Sequence, residues 1–151
     1  MKNINNKILQ RCPAAEAIVR GGENYPNLCG KVRFFNTCDG TIVETEFFGL
    51  PRDGFFALHI HEGNDCGGTA EEPFADAGKH LNLTSSEHPF HTGDLPPVFG
   101  CNGYSWSAVF TGRFRPSQVR GRVVIIHENP DDFHTQPSGN AGAKIGCGII
   151  K

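Results

Sequence analysis

The sequence has no long hydrophobic run. None of its 151 residues belong to a stretch that approaches the roughly 20 apolar residues a membrane-spanning helix needs. The N-terminal segment Met1–Cys12 is basic but has no apolar run of signal-peptide length. As it stands the chain reads as cytoplasmic, with an extracytoplasmic address kept for the case of a signal already removed. Neither charge is in excess: 14 Lys and Arg against 16 Asp and Glu leave a net charge of −2. That balance argues against nucleic acid and against an anionic membrane surface as partners. Internal repeats and low-complexity segments are absent, and helical periodicity is weak throughout. The best helical candidate, Asn3–Ala17, is interrupted by Pro13.

What the chain does have is turn residues: 19 Gly and 10 Pro against 38% hydrophobic residues. The length suits one domain over residues 1–151, with residues 1–14 set apart as a candidate flexible extension. Six cysteines are enough for disulfides, which favour an oxidising compartment and pull against the cytoplasmic reading. Short strand-like runs occur at Ala17–Arg20, Cys29–Phe35, Thr41–Phe48, Phe55–His61, Tyr104–Thr111, Arg122–His127 and Ile145–Ile150. Cys38-Asp39-Gly40 between two of them reads as a hairpin, because Gly tolerates positive φ. In the run after it, Val43, Thr45 and Phe47 share one face and Glu44 and Glu46 the other. Two long polar stretches, Glu62–Asn102 and Glu128–Lys144, read as functional loops. The expected fold is all-β: an antiparallel Greek-key sandwich or barrel, immunoglobulin-like, with two long functional loops.

Histidines stand at 59, 61, 80, 88, 91, 127 and 134. His59 and His61, two apart at the end of a strand, point to one side and suit a shared metal, though such a pair alone says little. His80, His88, His91 and Asp94 form a denser set. Three imidazoles and a carboxylate suit tetrahedral zinc, the bland alternative being a loop that happens to be rich in histidine. His127 ends an apolar run; by itself it is as well explained by a satisfied strand-end histidine.

At these residues the sequence resembles the copper/zinc superoxide dismutases. Leu58-His59-Ile60-His61-Glu62 is similar to that family's Phe-His-Val-His-Glu strand. Ala77-Gly78-Lys79-His80, His91-Thr92-Gly93-Asp94-Leu95, Val124-Ile125-Ile126-His127-Glu128 and Gly139–Gly148 resemble further family segments, in the family's order. The resemblance implies copper on His59, His61, His80 and His127, and zinc on His80, His88, His91 and Asp94, with His80 bridging. Four imidazoles suit Cu(II). It implies that superoxide is dismuted to oxygen and hydrogen peroxide in two half-reactions, with His80 passing a proton to the product as a general acid. It assigns Asp131 the linking of a copper histidine to a zinc histidine, against a plain turn carboxylate after Pro130. It pairs Cys66 with Cys147, leaves Cys12, Cys29, Cys38 and Cys101 without a role, and is compatible with a homodimer. Cys29 reads as a small buried hydrophobe, and His134 as an exposed loop residue.

Two features depart from the family pattern. Lys144 stands where the family has a superoxide-guiding Arg, keeping the charge without the rigid fork of donors. That substitution predicts retained steering, poorer anion positioning and reduced turnover. His88 and His91 are only three apart, across Pro89-Phe90, and the stretch from His127 to Lys144 is short. Such a turn closes on zinc, or it weakens zinc binding or opens the copper to solvent. Two non-catalytic alternatives follow on the same scaffold: a copper/zinc-binding protein, and a zinc-stabilised interaction module.

Overall fold

The computed structural model describes Leu9 and residues 11–151. Eight strands account for nearly all its regular structure: β1 (Ala15–Gly21), β2 (Cys29–Asn36), β3 (Thr41–Phe48), β4 (Gly54–His61), β5 (Asp94–Gly100), β6 (Tyr104–Thr111), β7 (Val123–His127) and β8 (Lys144–Ile149). All pairings are antiparallel, in the order β5-β4-β7-β8-β1-β2-β3-β6. The end strands β5 and β6 pack side by side without a shared ladder, so the sheet is a nearly closed barrel. The all-β Greek-key expectation holds. The helical candidate Asn3–Ala17 does not hold where it is described, since Ala15–Ala17 open β1. Its first part, Asn3–Ile8 and Gln10, lies outside the described residues, as does most of the proposed extension over 1–14.

One strand had been hidden in the sequence. β5 lies within the stretch Glu62–Asn102 that reads as a loop, and Pro96-Pro97 in its middle masks it. Proline donates no ladder bond, and β5 tolerates two because it is an end strand paired only with β4. The hairpin at Cys38–Gly40 forms, with Asn36 opposite Thr41. Its glycine is needed for a different reason from the one expected. Gly40 does not have positive φ; a Cβ there would lie 2.2 Å from the Thr111 carbonyl oxygen.

Alternation along the strands gives the barrel its inside. Val32, Phe34, Val43, Phe47, Phe56, Leu58, Ile60, Val124, Ile126 and Ile145 fill one core. The opposite faces of β4 and β7 are buried as well, under the two long connections. Val123 and Ile125 pack outside the barrel with Ala77 and Cys147, beside Cys66 and Phe74. β7 is therefore apolar on both faces and reads Val-Val-Ile-Ile without alternation. His59, His61 and His127 project on this second, covered side.

Candidate metal centre

The centre is built from strand register outward. His59 and His61 end β4; in the ladder with β7, His59 lies opposite Ile125 and His61 opposite Val123. The register then shifts between Ile126 and His127 where β7 meets β8. Beyond it the Ala57 N–H donates to the Asn129 carbonyl at 2.9 Å, which draws His127 up beside His59. Irregularities of this kind re-aim a side chain. Asp94, the first residue of β5, lies opposite His59 on the other flank of β4. His80 arrives on the connection after β4 and makes an isolated bridge with His61. Glu62 N–H to the Lys79 carbonyl and Leu81 N–H to the Ile60 carbonyl, both 2.8 Å, pin it there.

These placements gather two buried groups that share His80. In each of His59, His61, His80, His127 and His80, His88, His91, Asp94, one ligand atom per residue lies within 4.8 Å of all the others. The hydrogen bonds fix which nitrogens face inward. His61 Nδ1 is 2.8 Å from the Gly78 carbonyl and His127 Nδ1 is 3.3 Å from the Gly142 carbonyl. A carbonyl only accepts, so both Nδ1 atoms carry the proton and both Nε2 atoms present bare lone pairs. Those two Nε2 atoms face each other at 3.4 Å, two acceptors with no proton between them. His59 gives Nε2–H to Asp131 at 2.8 Å, leaving a buried, unpartnered Nδ1; the Nε2 of His80 is buried and unpartnered too. Four lone pairs converging in a buried site cost free energy unless something accepts them, and a cation suits all four at once.

The second group repeats the logic with a carboxylate. His88 donates Nε2–H to Asp131 Oδ1 at 2.9 Å, so its bare Nδ1 is aimed at Asp94 Oδ2, 3.0 Å away. His91 Nδ1 lies 3.2 Å from the same oxygen, and His80 Nδ1 lies 2.7 Å from Asp94 Oδ1. Asp131 thus touches both groups, His59 through Oδ2 and His88 through Oδ1, and Oδ1 also accepts the Phe133 N–H at 2.7 Å. Gly139, in the β7–β8 connection, leaves room for that link: a Cβ there would lie 2.1 Å from Asp131 Oδ1 and 2.7 Å from His88 Nε2.

Burial sets the protonation states that metals require. Desolvation lowers the His59 and His127 pKa values and takes His61 down to about 3, so all three rings are neutral at pH 7. For Asp131 burial pushes upward, but hydrogen bonds from His59, the Phe133 amide and His88 outweigh it and hold the carboxyl at about 2. Asp94 is likewise lowered against its burial, chiefly by its hydrogen bond with His80. Neutral imidazoles and ionised carboxylates are the ligating forms.

A cavity of about 380 Å³ opens onto the first group, lined by His61, His80, His127, Lys79, Lys144 and Glu62 among others. Lys144 borders it, but its Nζ donates to the Phe74 carbonyl at 3.1 Å. Cys66 and Cys147 form a disulfide, closing a separation of 81 residues between the long connection and β8. The other four cysteines are free. Cys12, Cys38 and Cys101 are exposed, and Cys29 is half-buried on the outer side of β2 rather than in the core. His134 is exposed and away from both groups. Arg113 and Gln136 meet the site without any composition or spacing signal that marks them beforehand, whereas Gly139 opens the Gly139–Gly148 segment that resembles the family.

The sequence model of the family described as copper/zinc superoxide dismutase (SODC) matches residues 28–150. A superoxide dismutase [Cu-Zn] of Caulobacter vibrioides is 31% identical, covering 91% of this chain and 86% of that protein. One of Deinococcus radiodurans is 34% identical over 81% of this chain and 76% of its own length. A superoxide dismutase-like protein of Bacillus subtilis is 36% identical, over 62% and 54%.

Proposed function

Since the chain belongs to the copper/zinc superoxide dismutase family, we propose that it dismutes superoxide with copper on His59, His61, His80 and His127 and zinc on His80, His88, His91 and Asp94. The observation that carries this reading is the pair of overlapping donor groups, both buried and both with bare lone pairs turned inward. Four imidazoles suit copper, and three imidazoles with a carboxylate suit zinc. Copper, when bound, supplies the one-electron couple that converts two superoxide anions and two protons to oxygen and hydrogen peroxide.

The chain's own residues do the remaining work. His80 holds a proton at Nε2 between the two half-reactions and gives it to the departing peroxide, the second proton coming from solvent. Asp94 faces the Nδ1 side of the same ring at 2.7 Å in the metal-free chain, so that a zinc ion taken up by both would hold the ring in place. Asp131 orients His59 and His88 together, so that the two groups respond to each other. Lys79 and Lys144 bring positive charge to the mouth of the cavity and draw in the anion. With its ammonium turned to the Phe74 carbonyl, Lys144 attracts superoxide more than it positions it. The disulfide supports an oxidising compartment. Among the described residues no helix is long and apolar enough to cross a membrane.

Metal analysis with a dismutase assay tests the reading. One copper and one zinc per chain with superoxide turnover, lost in His127→Ala, is the expected result. Zinc alone, with no turnover after copper reconstitution, would leave only the non-catalytic alternatives.

A further inference from the structure

The turn that carries His88 and His91 is held from within mainly at its far end, where the His91 N–H donates to Asp94 Oδ2 at 2.9 Å and the Asp94 N–H to the His91 carbonyl at 3.3 Å. Phe90 N–H donates to the Glu87 carbonyl at 2.8 Å, and the Phe90 ring is 66% exposed. Two side chains from other parts of the chain also grip its backbone. Arg113, in the β6–β7 connection, directs Nη1 to the carbonyls of Pro89, His91 and Asp94 at 3.0, 3.1 and 2.9 Å. Its guanidinium carbon lies 5.9 Å from the centre of the Phe90 ring. Gln136, in the β7–β8 connection, makes a two-point pair with His88: Oε1 accepts the His88 N–H at 3.0 Å and Nε2 donates to the His88 carbonyl at 2.7 Å.

We infer that Arg113 and Gln136 are positioning residues for the cation held by His80, His88, His91 and Asp94. Three of the four residues that compose that group have their backbone fixed by these two side chains. Neither side chain reaches a ligand atom; they act through the peptide groups. The carbonyls face one nitrogen of a planar, permanently charged guanidinium that carries only two protons, so at least one proton is shared. A lysine ammonium offers three protons but with a shorter reach and without the planar group over Phe90, and Ala leaves three carbonyls to water. With the clamp in place the cation meets a turn already arranged, and the ordering that would otherwise accompany binding is done in advance. The inference rests on the reading of this group as a zinc site.

The test uses the full-length metal-free chain in wild-type, Arg113→Ala, Arg113→Lys and Gln136→Ala forms. Zinc and copper dissociation constants come from chelator competition, and amide hydrogen exchange is followed over residues 88–94. Arg113→Ala should raise the zinc Kd by about 10- to 100-fold, the range for partners that support a ligand. It should speed exchange in 88–94 and leave copper affinity unchanged. Arg113→Lys should recover only part of the loss, and Gln136→Ala should shift both readouts the same way by less. An unchanged zinc Kd in Arg113→Ala and Gln136→Ala overturns the inference and leaves the zinc site standing. So does a parallel loss of copper and zinc affinity with the melting temperature, which marks a merely structural role. A wild-type chain that takes up no zinc overturns the zinc reading and the clamp with it.

Discussion

His59, His61 and His127 stand on strands; His88 and His91 stand on a turn. The first three inherit their positions from the ladder between β4 and β7 and from the apolar residues alternating with them, which fill the barrel. Once the core forms, their geometry has little freedom left. The other two inherit almost nothing from the barrel. Their places depend on side-chain bonds from Asp94 at the start of β5 and from Asp131, Arg113 and Gln136 in later connections. His80 and Asp94 join the regimes, each at the edge of β4 and each bonded to the other. A metal group can thus be specified by secondary structure or by outlying polar contacts, and this chain does both within one shared ring.

That contrast can be broken by substitution. The largest effect belongs to His127→Ala, which removes the strand-borne member of the proposed copper group that nothing nearby can replace. Copper uptake and superoxide turnover should fall by more than about 100-fold, beyond the range typical of supporting partners. Zinc uptake should persist, and simultaneous loss of both metals would mean that the groups do not separate as described. Asp131→Ala should come next. It strips the bond partner from buried His59 and His88 together, so both metals should weaken, zinc by about 10- to 100-fold. Isothermal titration of each metal checks this, and an effect on one alone would remove Asp131 as the link.

Acid should act on the metal-free chain through both regimes. His59, His61 and His127 have folded pKa values below the unfolded 6.5, so the unfolded state takes up protons first. Stability from these three is undiminished above pH 6.5 and falls as pH drops below it, until His61 itself titrates near 3. Asp131, lowered from 3.8 to about 2, stabilises the fold above pH 3.8 and loses that contribution as pH falls through 2. Denaturant melts across pH 7 to 3 should therefore show a decline that begins near 6.5; a flat profile down to pH 4 would contradict the buried, neutral histidines. The smallest change is expected of Lys144→Arg. A guanidinium at this place should raise kcat/KM by positioning the anion that, on the proposed reading, Lys144 only attracts, and unchanged or lower activity would count against that role.

The histidine pattern was legible because strand spacing survives in sequence: His59 and His61 two apart, His127 at the end of an apolar run. The barrel could be read for the same reason, from alternation such as that of Val43, Thr45 and Phe47. β5 was not, because Pro96-Pro97 looks like a break unless the strand is known to lie at an end of the sheet. Gly40 was found for the wrong reason, since close approach of a carbonyl leaves no local signature. Arg113 and Gln136 were invisible because their partners are peptide groups 19 to 48 residues away, and any residue type presents those. The register shift at His127, which brings it to His59, is equally silent in sequence.

The most direct measurement is anomalous diffraction from crystals of the metal-loaded protein, collected on either side of the copper and zinc absorption edges. The copper signal should lie among His59, His61, His80 and His127 and the zinc signal among His80, His88, His91 and Asp94, with the His80 ring between them. Zinc in both positions would contradict the copper assignment, and a single metal with His80 turned to one side only would contradict the shared-histidine centre.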